Sequence, residues 1–459
     1  MNTAVANYTI TGRTRMVLIG GMLLGLLCMI VSFTGILGVE IDGLKTRFWS
    51  NLLHNSVFFT GIALMAGFFM CASITAWAGW YVAFKRVWES MSLFLIVGLV
   101  LMGIFAITTY LGLNHIYHWE DDASVAADPI LQGKSAFLNR NWYLFGTLIF
   151  LGLTTFLVSR IRSLSLAEEA NGDPENFKYH YGIRKYAAIF LPVAGFGSAA
   201  MIWQWIMSVD AHWYSTMFAW YTGASWFVSM VALTILLIIF LKGRGHFRTV
   251  SIEHLHDLGK FLFAFSIFWT YLWFSQYMLI WYANVGEETI YFRERVDNYP
   301  ALFYLNILIN FIAPFFILMR NDTKRKIGSL AFTAGLVLFG HWLDFFLMIK
   351  PGVTHTAHAL SGHGHGGHDD HGGGHEAGHG AIEHGAEAAH GGGHGAEEVL
   401  LGHAESTFEM GTNFPGFIEF GTFIGFLCLF LFFVLGSLSR TTLQSGSDPY
   451  MEESLHHHT

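Results

Sequence analysis

The feature that most limits the fold of this chain is a series of long apolar runs separated by mostly short polar segments. Each run approaches or exceeds the roughly 17 to 25 residues that an α-helix needs to cross the hydrocarbon core of a bilayer. The ten runs lie at 16–38, 56–81, 91–113, 142–159, 186–209, 217–241, 261–283, 302–319, 327–349 and 417–438. They predict an all-α integral membrane protein with about ten transmembrane helices packed in bundles.

The composition agrees with this fold class. Hydrophobic residues make up 53% of the 459 residues and charged residues only 13%, which is far from the mix of a soluble globular domain. The first run is too long for a signal-peptide core and is followed by no small-residue cleavage site, so we expect it to be retained as a span.

The basic residues predict the orientation of the chain in the membrane. With the N-terminus in the cytoplasm, 18 of the 25 lysines and arginines fall on the cytoplasmic side and 7 on the outer side. This distribution follows the positive-inside rule. We therefore expect both termini to be cytoplasmic.

The sequence divides into four regions. Residues 1–349 form a nine-span membrane region, 350–416 an outer loop rich in histidine and glycine, 417–438 the tenth span, and 439–459 a cytoplasmic tail. The loop holds 12 of the 24 histidines, but they have no fixed spacing on a rigid element. A solvated spacer is the favoured interpretation, and weak metal or proton binding is the alternative.

The cysteines give no sign of a redox cofactor in this chain. Cys28, Cys71 and Cys428 stand singly inside apolar runs, without a CxxC or CxxCH motif. Iron–sulfur ligation and covalent haem attachment both require clustered cysteines. We expect neither group to be bound here.

Ionisable residues inside membrane helices are energetically expensive, and they concentrate near the predicted outer face. In FGHWLDFFLMIKPG, His341 and Asp344 are three residues apart and therefore share a helix face. Such a pair can pass a proton between its two groups. The alternative is a structural hydrogen bond between buried helices. Glu419, in the first turn of the last run, is expected to be stabilised by the helix dipole.

A second cluster, WQWIMSVDAHWYSTMFAW at 203–220, joins two runs through a short outer turn. Asp210 and His212 lie at this turn. One interpretation is an interfacial aromatic belt with an aspartate that starts a helix. The other is a polar mouth that leads towards the His341 and Asp344 pair.

The seventh run contains FWTYLWFSQYMLIWYANVGEET at 268–289, which has many polar side chains for a membrane helix. Thr270, Tyr277 and Asn284 are spaced by seven and form one stripe, while Ser275 lies roughly 160° around the helix from Tyr277. Lipid is a poor surrounding for several polar faces. We expect this helix to lie inside the bundle or against a partner.

The strings FSQYMLIWYANVGEET and WQWIMSVDAHWYSTMF, together with the ten-span layout, resemble the F subunit of alternative complex III, the bacterial quinol:cytochrome c oxidoreductase. That subunit belongs to the NrfD/PsrC-like family of membrane subunits. The resemblance covers the membrane portion but not the histidine-rich loop. It implies two four-helix bundles flanked by the first and last spans.

The same resemblance implies a large complex in the bacterial inner (cytoplasmic) membrane, with haem and iron–sulfur clusters in partner subunits. This chain would bind no metal or redox cofactor itself, and quinone would be its candidate ligand. Its partners would be the lipid bilayer and the other subunits, including a related quinol-oxidising membrane subunit, with no nucleic acid. Because the family's clearest quinol site lies in that related subunit, quinone binding by this chain stays open.

The resulting hypothesis is a subunit without redox cofactors that supports quinol oxidation and proton transfer. Seven residues are candidates for proton transfer or quinone contact: His341, Asp344, Asp210, His212, Gln276, Tyr277 and Glu287. Tyr277 can contact a quinone ring or only pack helices, and packing is favoured. The alternatives are a secondary transporter, which is expected to have broken helices, and a b-type haem protein with His341 and His115 as axial ligands.

Overall fold

The computed structural model describes residues 8–35, 45–247, 249–363 and 414–457. All regular elements in these ranges are helices, and ten of the helices are long and apolar enough to cross a membrane. This confirms the expected all-helical fold and ten helices of membrane-spanning length. Most of the predicted loop 350–416 lies outside the described residues.

The ten membrane helices are numbered in chain order: α1 Gly12–Thr34, α2 Thr46–Thr75, α3 Val82–Tyr110, α4 Arg140–Asn171, α5 Lys178–Trp205, α6 Met217–Gly243, α7 Ile252–Ala283, α8 Pro300–Leu318, α9 Ile327–His363 and α10 Phe417–Leu438. Helix α3 begins with a 3₁₀ turn at Val82–Phe84 and continues as Lys85–Ser92 and Leu95–Tyr110. Shorter helices lie at His118–Glu120, Asp122–Ala127, Pro129–Lys134, Met207–Asp210, Gly286–Asn298, Asn321–Arg325 and Met451–Leu455.

The membrane helices pack as two groups of four. Helices α2 to α5 form the first group and α6 to α9 the second, with sequential neighbours and the first and last members of each group in contact. Helix α2 also packs against α6 and α9, which joins the groups. Most of the apolar length of α2, α6 and α9 is therefore buried, whereas only about a third of that of α1, α5, α7 and α8 is buried.

Both described ends of the chain lie at the same end of the bundle. Arg244, just after α6, donates hydrogen bonds to Thr11 Oγ1 at 3.2 Å and Thr14 Oγ1 at 3.1 Å. Gln444, after α10, donates to Thr249 Oγ1 at 3.1 Å. An even number of spans requires this arrangement. The cytoplasmic location of this end stays a prediction from the positive charges, and we call it the predicted cytoplasmic end.

Helix α7 is half inside the protein and half outside it. Trp269 and Gln276 are buried, whereas Tyr282 on the other side is 84% exposed. The polar stripe has local explanations. Thr270 donates its hydroxyl to the Ser266 carbonyl at 2.9 Å, and Asn284 ends the helix in the left-handed conformation. Polar side chains in this helix therefore do not by themselves require protein on every face.

Helix α9 continues through Lys350-Pro351-Gly352, where the sequence suggested that a loop begins. Pro351 cannot donate a hydrogen bond to the carbonyl of Leu347. The side chain of Arg295 supplies the missing donor, with Nε at 2.9 Å from the Leu347 oxygen. Lys350 is itself buried, with Nζ at 2.8 Å from Asn51 Oδ1. Tertiary contacts thus stabilise the helix beyond residue 349.

Helices α1 and α10 touch along glycines. A Cβ atom added to Gly25 would lie 2.5 Å from Gly425 Cα, and one added to Gly421 would lie 2.3 Å from Cys28 Sγ. Small residues let membrane helices approach until their backbones meet. This contact holds the first span against the last.

Substitution at this contact tests the packing of α1 on α10. We expect Gly25→Val to destabilise the protein by about 1–3 kcal/mol, because the added carbons overlap the Gly425 backbone. Gly20→Val is the matched control, since a Cβ at Gly20 meets no atom within 4 Å. Thermal unfolding in detergent should show a lower midpoint for Gly25→Val alone; equal midpoints would contradict this packing.

Candidate functional site

The side chain of Asp344 is fully buried in the second helix group. Its Oδ1 accepts hydrogen bonds from Asn306 Nδ2 at 2.8 Å and from the Tyr221 hydroxyl. Its Oδ2 accepts from Ser225 Oγ and Trp269 Nε1, both at 3.1 Å. The donors come from α6, α7 and α8, so this carboxyl group connects all four helices of the group.

His341 joins this cluster through a serine. Its Nδ1 hydrogen-bonds to Ser225 Oγ at 2.9 Å but is 3.9 Å from Asp344 Oδ2, too far for a direct hydrogen bond. The edge of its ring packs against Trp269. Its Nε2 is buried and has no hydrogen-bond partner among the described residues. The expected shared helix face is therefore present, with Ser225 between the two groups.

The chemistry available to this cluster is proton exchange. The four donors to Asp344 are hydroxyl, amide and indole groups, and the imidazole of His341 lies 3.9 Å from its Oδ2. A hydroxyl that both donates and accepts, such as Ser225, can connect a carboxyl group to an imidazole. His341 Nε2 then offers a free position for a further donor or acceptor. We call His341, Asp344, Ser225, Tyr221, Trp269 and Asn306 the Asp344 cluster.

The backbone of α8 is irregular beside this cluster. It contains a π-helical turn at Leu308–Ile312, and Pro314 leaves the carbonyl of Asn310 without the usual α-helical donor. Asn310 donates to Asn306 Oδ1 at 2.6 Å, and so holds the amide that donates to Asp344. Single π turns inside α-helices frequently mark functional sites.

Asp210 and His212 point to different partners. Asp210 Oδ2 accepts from Arg295 Nη2 at 2.9 Å, close to Gly352 in the extension of α9. Gly352 is eight residues beyond Asp344, or about 12 Å along the helix. His212 instead hydrogen-bonds to Asp128, in the connection between α3 and α4. Asp210 thus lies between the Asp344 cluster and the predicted outer end, whereas His212 contacts the connection between α3 and α4.

Arg295 lies between Asp210 and Glu294 near the predicted outer end. It lies over the Tyr291 ring at 3.4 Å from its centroid, and it is also 3.9 Å from Glu294. Burial, together with the nearby Asp210 carboxylate, raises the pKa of Glu294 to about 7, and the Arg295 guanidinium opposes this rise. Glu294 can therefore gain or lose a proton near neutral pH.

The other three predicted residues lie apart from the Asp344 cluster. Gln276 is buried, and its Nε2 has no hydrogen-bond partner among the described residues. Tyr277 is half-buried and stacks on Trp273. Glu287 is exposed near the start of helix Gly286–Asn298. The structure therefore brings together only His341 and Asp344 of the seven candidates.

A groove of about 620 Å³ opens on the outside of α7 and α8. Trp273, Tyr277 and Phe303 line it, and its surface is mostly apolar. Trp269 and Asn306, on the inner faces of the same two helices, donate to Asp344. The groove and the Asp344 cluster thus lie on opposite faces of the same two helices.

A second buried network lies where α2, α9 and α10 meet. Glu419 accepts hydrogen bonds from Arg47 at 2.7 Å, from Asn51 at 3.2 Å and from the backbone N–H of Gly416 at 3.0 Å. Lys350 is linked to it through Asn51. Glu419 thus lies in the first turn of its helix, as expected, and it also pairs with a cation from another span.

The sequence does not single out the donors to Asp344. Tyr221 and Ser225 are four residues apart on α6, as are Asn306 and Asn310 on α8. Pairs of polar residues at this spacing share a helix face. This signal could have indicated two polar faces, but it could not have shown that both face Asp344.

Comparison with known proteins adds no family assignment: neither the models of protein families nor the curated proteins match this chain. Within the described ranges, no group of three His, Cys, Asp or Glu side chains could hold a metal ion. Most of the histidine-rich loop, for which weak metal binding is the alternative to a solvated spacer, lies outside these ranges. His341 and His115 lie in different parts of the fold, on α9 and in the connection after α3.

The raised pKa of Glu294 predicts a pH dependence of stability. The folded state binds this proton more tightly than the unfolded chain, where the pKa is about 4.5. The free energy of unfolding should therefore fall as pH rises from about 5 to 7, by at most about 3 kcal/mol, and should level off above pH 7.

Thermal unfolding between pH 5 and 8 can measure this effect. Glu294→Gln should show a smaller decrease in midpoint than the wild type. Glu287→Gln, which removes an exposed carboxylate from the same short helix, should keep the wild-type decrease. An identical pH dependence in Glu294→Gln and the wild type would show that Glu294 does not titrate in this range.

Proposed function

We propose that this chain is a membrane subunit of a bacterial respiratory quinol:cytochrome c oxidoreductase, in which the Asp344 cluster handles protons during quinol oxidation. The observation that carries the proposal is a fully buried Asp344 connected through Ser225 to His341. Ionisable groups at such depth usually mark proton or substrate pathways. The assignment to a quinol:cytochrome c oxidoreductase rests on the sequence resemblance to the F subunit of alternative complex III.

Oxidation of a quinol to a quinone releases two electrons and two protons. The electrons would pass to haem and iron–sulfur groups in partner subunits, which supply the redox chemistry. The protons need acceptors that are connected to water, and His341 Nε2 is buried without a hydrogen-bond partner among the described residues. From Asp344, the direction of α9 leads towards Asp210 and Glu294 at the predicted outer end.

The groove on α7 and α8 is the proposed contact surface for quinone. Because α7 and α8 are both long and apolar enough to span a membrane, a molecule dissolved in the bilayer would reach this groove from the side. Its aromatic lining suits a flat ring and an apolar tail. Tyr277 lines this groove. Its proposed role is therefore quinone contact, whereas that of Asp344 is proton handling.

Purification of the native complex tests the assignment to a respiratory enzyme. We expect the chain to be recovered with partner subunits that contain haem and iron–sulfur clusters, including a second, related membrane subunit. The absorbance spectrum and the subunit composition are the measurements. Recovery as a single chain with transport activity and no partner would overturn the proposal, and haem in the isolated chain would favour a b-type haem protein.

Substitutions in the Asp344 cluster test proton handling. His341→Ala and Asp344→Asn should each lower quinol:cytochrome c oxidoreductase turnover by roughly 10²-fold, the scale at which proton transfer contributes to catalysis. Thr333→Val, which removes a buried hydroxyl from the same helix, is the control and should leave turnover unchanged. If assembled complexes with these two variants turn over normally, His341 and Asp344 have only a structural role.

Ser225→Ala gives a sharper test, because it removes the connection between His341 and Asp344 and keeps both groups. If the cluster transfers protons, turnover should fall and its solvent isotope effect should rise, while subunit composition stays normal. A purely structural role would change thermal stability but not the isotope effect.

A further inference from the structure

The first helix group contains its own set of buried charges, at the predicted cytoplasmic end. Lys85, Arg86 and Glu89 lie in the first turns of α3, and Arg162 and Glu168 lie near the end of α4. Each residue is at least nine-tenths buried. This set lies far from the Asp344 cluster, which is in the other group and towards the other end.

Some of these charges are paired. Glu89 Oε2 accepts from Arg86 Nη1 at 2.7 Å and also from Arg162 Nη1. Lys85 Nζ lies 3.5 Å from Glu168 Oε2. Arg86 Nη1 also donates to Ser165 Oγ at 3.0 Å. These contacts fix the side chains but use only part of their hydrogen-bonding capacity.

Many polar atoms of the same set have no hydrogen-bond partner among the described residues. They are Arg86 Nε and Nη2, Glu89 Oε1, Glu168 Oε1, and both ring nitrogens of the neighbouring His180. Arg86 Nη2 is nevertheless in an ion pair, 3.7 Å from Glu169 Oε2. His180 Nδ1 lies 3.9 Å from Glu168 Oε1, beyond direct bonding distance. Buried polar atoms without a hydrogen bond are destabilising in a dry site, whereas buried waters commonly satisfy such atoms.

The segment after α10 covers this set. Asp448 Oδ2 lies 2.6 Å from Lys85 Nζ, and both side chains are only 2% exposed. The ring of Tyr450 packs against the ring of His180, with centroids 5.2 Å apart. Thr441 Oγ1 accepts from Arg162 Nη2 at 2.9 Å. The chain after the last span is thus bound directly to the buried charges.

The same segment continues to the second helix group. Ser454 Oγ accepts from the Ala83 N–H at 3.0 Å and lies 3.2 Å from His254 Nε2, at the start of α7. His457 Nε2 lies 2.5 Å from Asp257 Oδ2. Residues 439–457 therefore bridge the two groups and lie over the buried charges.

We propose that Lys85, Arg86, Glu89, Arg162, Glu168 and His180 line a water-filled chamber, and that residues 439–457 are its lid. Water is the ligand of the polar atoms that lack a hydrogen bond within the protein. Displacement of Asp448 would leave Lys85 with only the longer contact to Glu168 and would open the chamber to solvent. The inference does not depend on the assignment to a respiratory complex.

The chamber is tested by a density map of the wild-type protein in lipid nanodiscs at a resolution that shows ordered water. We expect waters within about 3.2 Å of Glu89 Oε1, Glu168 Oε1 and His180. A map that resolves water at other polar sites of the protein but none beside these atoms would overturn the proposal.

The lid is tested by hydrogen–deuterium exchange on the full chain in nanodiscs. Asp448→Asn should speed exchange at least tenfold at residues 82–92 and 439–457, because the ion pair to Lys85 is lost. Glu452→Gln, which removes an exposed carboxylate from the same segment, is the control and should behave like the wild type.

Wild-type exchange in Asp448→Asn, or faster exchange at residues 439–457 alone, would overturn the role of this segment as a lid. Exchange in α9 reports general unfolding. If Asp448→Asn also speeds exchange in α9, the test is repeated with Ser454→Ala. Ser454→Ala removes a contact of the lid with α3 and α7 that lies outside the chamber. Ser454→Ala should then produce the same two increases with α9 unchanged.

Discussion

A carboxyl group buried among membrane helices has to receive hydrogen bonds from its neighbours, and the second helix group is arranged around this requirement. Asp344 on α9 receives them from Tyr221 and Ser225 on α6, Trp269 on α7 and Asn306 on α8. Because one side chain connects four helices, a displacement of any of them would leave a buried polar group unpaired. The same contacts connect Asp344 to His341, so the stability of the group and its proposed proton chemistry depend on the same atoms.

Helix α9 makes polar contacts with both helix groups. His341 and Asp344 face the second group, whereas the Trp342 carbonyl lies 3.0 Å from His54 Nε2 on α2. Beyond the expected end of the span, Arg295 compensates for the donor that Pro351 lacks, and Asn51 binds Lys350. These contacts explain how a helix that contains Lys-Pro-Gly continues to His363.

The predicted cytoplasmic end has a different organisation. Its buried charges pair within the first group, and the segment after α10 adds Asp448 to them. The segment also contacts His254 and Asp257 of the second group. The Asp344 cluster is thus formed within the second group, whereas the buried charges at the predicted cytoplasmic end are held between the first group and the segment after α10.

The sequence by itself determined the number and approximate position of the membrane helices. A bilayer leaves no backbone partner except the helix itself, so apolar length translates directly into spans. It also placed His341 and Asp344 on one face, because a spacing of three is a local property of a helix. Only the tertiary structure decided that Ser225 stands between them, that Asp210 pairs with Arg295 and that Asp448 covers Lys85. These partners lie far apart in the chain, and their contacts depend on how whole helices pack, which no local pattern records.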